Sequence, residues 1–149
     1  MESITFNHTV PLQIRFNDID SLGHLNNAVY FAFYDLGKTA YFETVKGESV
    51  DWKKADIVIA NIHADFFAPV YFKDPVAVQT AVAEIGNKSM KVQQQIIDTR
   101  SREIKAACTT IMVGFDVNTF QAKEISDEWR LAIGRYEGRN LSRPTPPKK

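Results

Sequence analysis

The chain has 149 residues, of which 44% are hydrophobic and 24% charged, with 18 bases against 18 acids. Those values describe one globular domain with a real core and exclude a disordered tract, a collagen-like chain and a disulfide mini-protein. Zero net charge leaves no overall field to collect nucleic acid, and the single cysteine, Cys108, excludes an intrachain disulfide and suits a reducing cytoplasm. No stretch approaches the roughly 18 unbroken apolar residues of a membrane span. Met1 to Thr5 lacks a basic region followed by an apolar run, so no signal peptide is expected.

In chain order, Val10 to Asn17 reads as a first strand and Asp18 to Asn26 as a polar, glycine-containing loop. Asn27 to Lys46 has a helical pattern. Its apolar residues, with six of the chain's 17 aromatics between positions 30 and 42, cover most of the circumference. That predicts a helix buried on several sides, ended by Gly47. Ile57 to Phe67 alternates, with Val58, Ala60, Ile62, Ala64 and Phe66 expected on one face. Val76 to Ile85 alternates as well, and Gly86-Asn87 is a hairpin signal. Ser89 to Asp98 and Glu103 to Asp116 follow as strands joined by the turn Thr99 to Arg102. A short helix from Ser126 to Tyr136 has Ser126 as its cap. Residues 1–138 form one domain, and 139–149 read as a frayed tail with three prolines and four bases. Without those bases, 14 basic residues face 18 acidic ones, so the body is acidic at −4. The order of elements predicts an α+β fold: an antiparallel sheet curled around one long central helix.

The segment from Asp18 to Tyr30 carries the chemistry. It leads into the helix, whose first N–H groups are free and bear partial positive charge. With Asn26 as cap, the N–H of Asn27 and its successors can hold a carbonyl oxygen that becomes an oxyanion. Asp20, six residues before Asn26, can fold back beside the same carbonyl as nucleophile or as base for water. This is an acyl-transfer site with no metal and no serine.

The run RFNDIDSLGHLNNAVY, Arg15 to Tyr30, resembles the active-site loop of hotdog-fold thioesterases, nearest the 4-hydroxybenzoyl-CoA thioesterase-like and short-chain acyl-CoA thioesterase group. The resemblance implies a hotdog fold and hydrolysis of an acyl-CoA to free acid and CoA. Asp20 would be the catalytic carboxylate and Asn27 the backbone amide that polarises the thioester. It also implies a homodimer, or a dimer of dimers, with sites built across the interface and coenzyme A present only as part of the substrate. Downstream, Gly86-Asn87-Lys88-Ser89 is similar to a basic run ending in lysine–serine that contacts CoA phosphates, which implies that role for Lys88 and Ser89. Gly86 and Asn87 stand where some members have arginines. The structural alternative is an ordinary hairpin with a solvated lysine.

The loop is also similar to that of acyl-ACP thioesterases, through Gly23-His24-Leu25-Asn26-Asn27. Leu22 stands where that branch has an asparagine, so an ACP-type mechanism is disfavoured. His24 then has two open roles: orienting Asp20 or water, or hydrogen-bonding the loop. Asp18 reads as a loop organiser. Asp35, within the helix, is a reserve carboxylate. Asn61, His63 and Asp65 share a strand face. Asn61 and His63 are candidates for the acyl pocket with Tyr30, and a metal there is disfavoured. Cys108 reads as a core residue. Two other functions stay open: a hotdog hydratase or dehydratase, against which the Asp20–His24 spacing argues, and a non-catalytic acyl-CoA-binding module.

Overall fold

The structure, a computed structural model, describes residues 4–52 and 56–142. Its elements are β1 (His8–Pro11), a 3-10 turn (Phe16–Asp18), α1 (Asn27–Lys46), β2 (Ile57–Phe66), β3 (Val76–Ile85), β4 (Ser89–Asp98), β5 (Ile104–Asp116), β6 (Gln121–Lys123) and α2 (Asp127–Glu137). The strands form one antiparallel sheet in the order β1-β3-β4-β5-β2, with β6 pairing the end of β5. α1 lies against one face, the hotdog arrangement expected from the loop.

The first strand differs from the expectation of Val10 to Asn17. It starts at His8 and stops at Pro11, paired with Thr80 to Ala77. Pro11, which has no N–H, is tolerated because β1 is an edge, and the Leu12 N–H still donates to the Val76 carbonyl at 2.9 Å. Beyond it the polar side chains favour a local turn, in which the Asp18 carboxylate accepts the Arg15 N–H at 2.8 Å.

α1 begins and ends where expected. The Asn26 side chain accepts the Ala28 N–H at 2.9 Å, and Gly47 closes the helix in the left-handed region at φ 77°. Its burial is narrower than expected. Tyr30, Phe33, Tyr34, Gly37, Lys38, Tyr41 and Phe42 are buried, a single stripe at helical spacing. Phe31 and Leu36 stay exposed. The cause is where the helix sits: it packs chiefly on β3, and no comparable packing joins it to β2. At the crossing, a Cβ on Gly37 would lie 2.9 Å from both Val78 Cγ1 and Gln94 Nε2. Glycine lets the helix come that close. The buried Gln94 amide is thereby satisfied, donating to the Tyr34 carbonyl at 2.9 Å and the Thr80 hydroxyl at 3.0 Å.

β2 pairs with β5 on one side and, among the described residues, has no strand on the other. A bulge at Ala60 interrupts its register, between Ile59↔Met112 and Asn61↔Ile111. The extra residue reverses the alternation. Ile57 and Ile59 therefore share the helix-side face with Ile62, Ala64 and Phe66, and Val58 turns to the other face, contrary to the simple alternation. The hairpin between β3 and β4 turns at Asn87-Lys88, closed by Gly86 N–H to the Ser89 carbonyl at 2.7 Å, one residue later than the sequence signal. α2 is capped by Ser126, which accepts the Trp129 N–H at 3.3 Å.

The expected loose tail from Arg139 is corrected over its first residues. Arg139 donates to the Val82 and Ala83 carbonyls at 2.9 and 3.1 Å, and Leu141 is buried and accepts the Ile85 N–H at 2.7 Å. The prolines at 144, 146 and 147 and the bases at 143, 148 and 149 lie outside the described residues. Among the described residues no helix is long and apolar enough to cross a membrane.

Candidate active site

The loop before α1 is zipped. The Asn26 N–H donates to the Asp18 carbonyl at 2.9 Å, Ile19 bridges Leu25, and the Asp20 N–H donates to the His24 carbonyl at 3.1 Å. Gly23, at φ 87°, makes the reversal at the tip and donates its N–H to the Asp20 carbonyl at 3.0 Å. A further bond from the Leu25 N–H to the Val70 carbonyl, at 2.7 Å, ties the loop to the segment before β3. Asp20 thus stands two rungs from the helix cap, about 7 Å of extended backbone. One of its oxygens accepts the Leu22 N–H at 2.9 Å; the other takes no partner among the described residues. The Asn27 N–H, at the helix start, likewise has no acceptor among the described residues.

Beside this loop lies a cavity of about 280 Å³, lined by His24, Asn27, Tyr30, Phe66, Phe67 and Pro69 among others. Tyr30 forms its floor. The ring is buried and meets Phe66 edge-on at 4.9 Å, and burial raises its hydroxyl pKa, with the Val70 backbone opposing. His24 gives its ring to Tyr71, edge-on at 6.4 Å, and only its backbone carbonyl to Asp20. The arrangement combines a half-buried carboxylate, a free helix-start amide and an apolar wall. It can hold an acyl carbonyl and set a carboxylate near it.

A sequence model of the thioesterase-like superfamily matches residues 14–133. The chain belongs to the thioesterase-like superfamily. Membership places it among the thioester hydrolases. One relative is the acyl-CoA thioester hydrolase YbgC of Escherichia coli, 20% identical over 99 residues, which cover 65% of this chain and 74% of that protein. Among solved structures, a Thermus thermophilus thioesterase complexed with coenzyme A and Zn is 28% identical, with a TM-score of 0.81 over 91% of this chain and 98% of that one. The Pseudomonas aeruginosa PAO1 protein PA5185 is 27% identical, with a TM-score of 0.77 over 88% and 92%.

The other sequence candidates do not all reach this loop and cavity. Asn61 and His63 stand opposite Ile111 and Thr109, on the sheet face away from α1. Within one chain, the cavity beside the loop takes Phe66 from β2 and neither Asn61 nor His63. His63 pairs with Asp65 at 3.3 Å, both exposed, and among the described residues no group of three or more His, Cys, Asp and Glu is placed for a metal. Lys88 is exposed on the β3–β4 turn, and Ser89 opens β4 opposite Val113. The ten residues of β4 separate them from the Asp20 end of the sheet by about 30 Å. Within one chain, Lys88 and Asp20 are not brought together. Asp35 is also away from the loop and pairs with Lys38. Cys108 is buried, its thiol raised by that burial, which makes it a poor nucleophile.

Sequence reasoning missed two residues. Arg130 on α2 donates to the Gly86 and Asn87 carbonyls at 2.7 and 2.8 Å and so fixes the turn that presents Lys88. Nothing in its own neighbourhood of sequence signals that. Lys38 is buried in the α1 stripe, donating to Gln94 Oε1 at 3.2 Å; burial lowers its pKa and Asp35 opposes the shift. A charged residue at an apolar helical spacing was the available signal.

Proposed function

We propose that the protein hydrolyses acyl-CoA thioesters in the cytoplasm, with Asp20 as the catalytic carboxylate and the N–H groups at the start of α1 as the oxyanion site. The carrying observation is the zipped loop, which fixes Asp20 and the free Asn27 amide in one unit beside an apolar cavity. The thioester carbonyl oxygen accepts from that amide, and charge growing on it is met by the helix start. Asp20 either takes the proton of an attacking water or attacks the carbonyl carbon to form a mixed anhydride that water opens. In both routes the C–S bond breaks and CoA leaves as the thiol. The reaction so drawn uses no cofactor beyond the CoA of the substrate.

The working unit we propose is a homodimer joined through β2. An antiparallel meeting of two β2 edges sets the Ile57 end of one beside the Phe66 end of the other. Ile57 is opposite Gly114, whose N–H donates to the Lys88 carbonyl at 2.8 Å. The join therefore carries Lys88 and Ser89 of one copy toward the Tyr30–Phe66 cavity of the other, where they meet the CoA phosphates.

Asp20→Asn tests the assignment. The expected loss is at least about 100-fold in kcat with an unchanged melting curve. Hydrolysis of acyl-CoA at the wild-type rate by the folded variant would sink it. Single-turnover hydrolysis in heavy-oxygen water separates the two routes, since only the anhydride leaves label in Asp20.

A further inference from the structure

The last described residues run beside the turn that presents Lys88. Leu141 is buried, its carbonyl accepts the Ile85 N–H at 2.7 Å, and Ser142 bridges Ile85 in the parallel sense. β3 reaches its hairpin at Ile85. A chain parallel to it there heads the same way, toward Gly86 to Ser89. Bridged backbones stand about 5 Å apart, and the three residues from Ile85 to Lys88 span at most about 11 Å. Ser142 is therefore within about 16 Å of Lys88. Residues 143–149 follow, outside the described residues; they carry Arg143, Lys148 and Lys149 and no acid. Seven residues extend up to about 24 Å, enough to carry bases to the turn.

This end of the sheet already holds cations without anions to match. The Arg130 guanidinium donates to the Ile125, Gly86 and Asn87 carbonyls at 3.0, 2.7 and 2.8 Å. Arg139 donates to the carbonyls of Val82 and Ala83. A carbonyl satisfies the hydrogen bonds of a guanidinium and leaves its charge in place. Lys88 is exposed on the turn. The nearest acid along β3, Glu84, pairs with Lys91 at 3.7 Å. Residues 1–138 carry 14 bases against 18 acids, so the positive charge is local and the remaining surface opposes a long polyanion. A compact cluster of phosphates suits it better than a nucleic acid or a lipid surface. Charges more than about 10 Å from an anion are largely screened, so bases count only where the chain can bring them close.

We propose that Arg143, Lys148 and Lys149 join Lys88 in holding the phosphates of coenzyme A, with Arg139 and Leu141 fixing the chain against β3 so that these bases are delivered to the turn. This rests on the acyl-CoA thioesterase reading and adds binding residues to it. In the dimer joined through β2, the phosphates so held belong to a substrate whose acyl group sits in the other copy's cavity.

The test is equilibrium binding of coenzyme A and of pantetheine, which has the same thiol arm and no phosphate. The wild type is compared with the full chain carrying Arg143→Gln, Lys148→Gln and Lys149→Gln. The preference for coenzyme A over pantetheine should fall by about tenfold in the triple variant at low salt, and the salt dependence of coenzyme A binding should become shallower. In hydrolysis of an acyl-CoA the loss should appear in KM rather than kcat. No preference in the wild type, or one that survives the triple substitution, overturns the proposal. A loss shared equally by pantetheine overturns it as well. Phosphatidylglycerol vesicles form a further arm: if the triple substitution abolishes binding to them and leaves the coenzyme A preference intact, the segment serves a lipid surface and the proposal falls. A preference lost in the variant, beside a wild type that turns over no acyl-CoA, upholds the phosphate site and counts against the thioesterase reading alone.

Discussion

His8 fastens the edge strand β1 to the helices. It is 8% exposed, its Nε2 lies 3.2 Å from the Thr44 hydroxyl, and its ring meets the edges of Tyr41 and Tyr136. Its Nδ1 is buried without a partner among the described residues. The Glu137 carboxylate on α2 is already engaged by the Tyr41 hydroxyl at 2.5 Å. Burial pushes the His8 pKa below its ordinary value, so the folded chain keeps a neutral ring. The unfolded chain takes up the proton near pH 6.5, at about the ordinary histidine value. Stability from this site is therefore whole above that pH and declines as pH falls toward the lower folded value. Thermal melts from about pH 8 to about pH 5 should show that decline, and His8→Gln should flatten it. An unchanged slope in the variant would assign the acid sensitivity to other groups. At the same scale, the Asn26 cap was legible in sequence because it acts within a few residues of itself. The inward turn of Lys38 was not, because its partner Gln94 lies 56 positions away.

Elements divided along the same line. Both helix starts followed from side chains that bond their own first turn, and β3 and β4 fell where alternation put them. β1 and β2 did not, since an edge strand takes its limits and its parity from its neighbour. No local pattern marks Ala60 as a bulge; it is defined by Ile59 and Asn61 taking consecutive partners on β5. β6 was missed because three residues carry too little periodicity. The contact of α1 with the sheet depends on Gly37. Alanine there would gain about 1 kcal/mol of helix propensity but force a Cβ into Val78 and the Gln94 amide, at about 1–3 kcal/mol. Val78 is β-branched and fully buried and yields little. Gly37→Ala is expected to lower stability by about 1–2 kcal/mol, read as a lower urea midpoint at constant slope. A raised midpoint would mean that the helix can lift off β3 freely.

For the whole molecule, the distance between Asp20 and Lys88 decides what a complete site requires. In a dimer joined through β2, each site draws its carboxylate from one copy and its lysine from the other. Asp20→Asn and Lys88→Glu should each depress turnover of dilute acyl-CoA when pure. Refolded together in equal amounts, they should recover about a quarter of wild-type activity, since half the dimers are mixed and each holds one intact site. No recovery on mixing would place Lys88 outside the site or the join elsewhere than β2. Arg130 belongs to this scale too, because in that dimer it would hold the turn carrying Lys88 to the other copy.

The Ala60 bulge separates two kinds of information along one strand. On its far side, Phe66 lines the cavity beside the loop that leads into α1. On its near side, Ile57 and Ile59 line the separate cavity walled by Phe42 and Met112. The bulge keeps both halves on the helix side of the sheet, so each cavity takes its β2 wall from its own half of the strand.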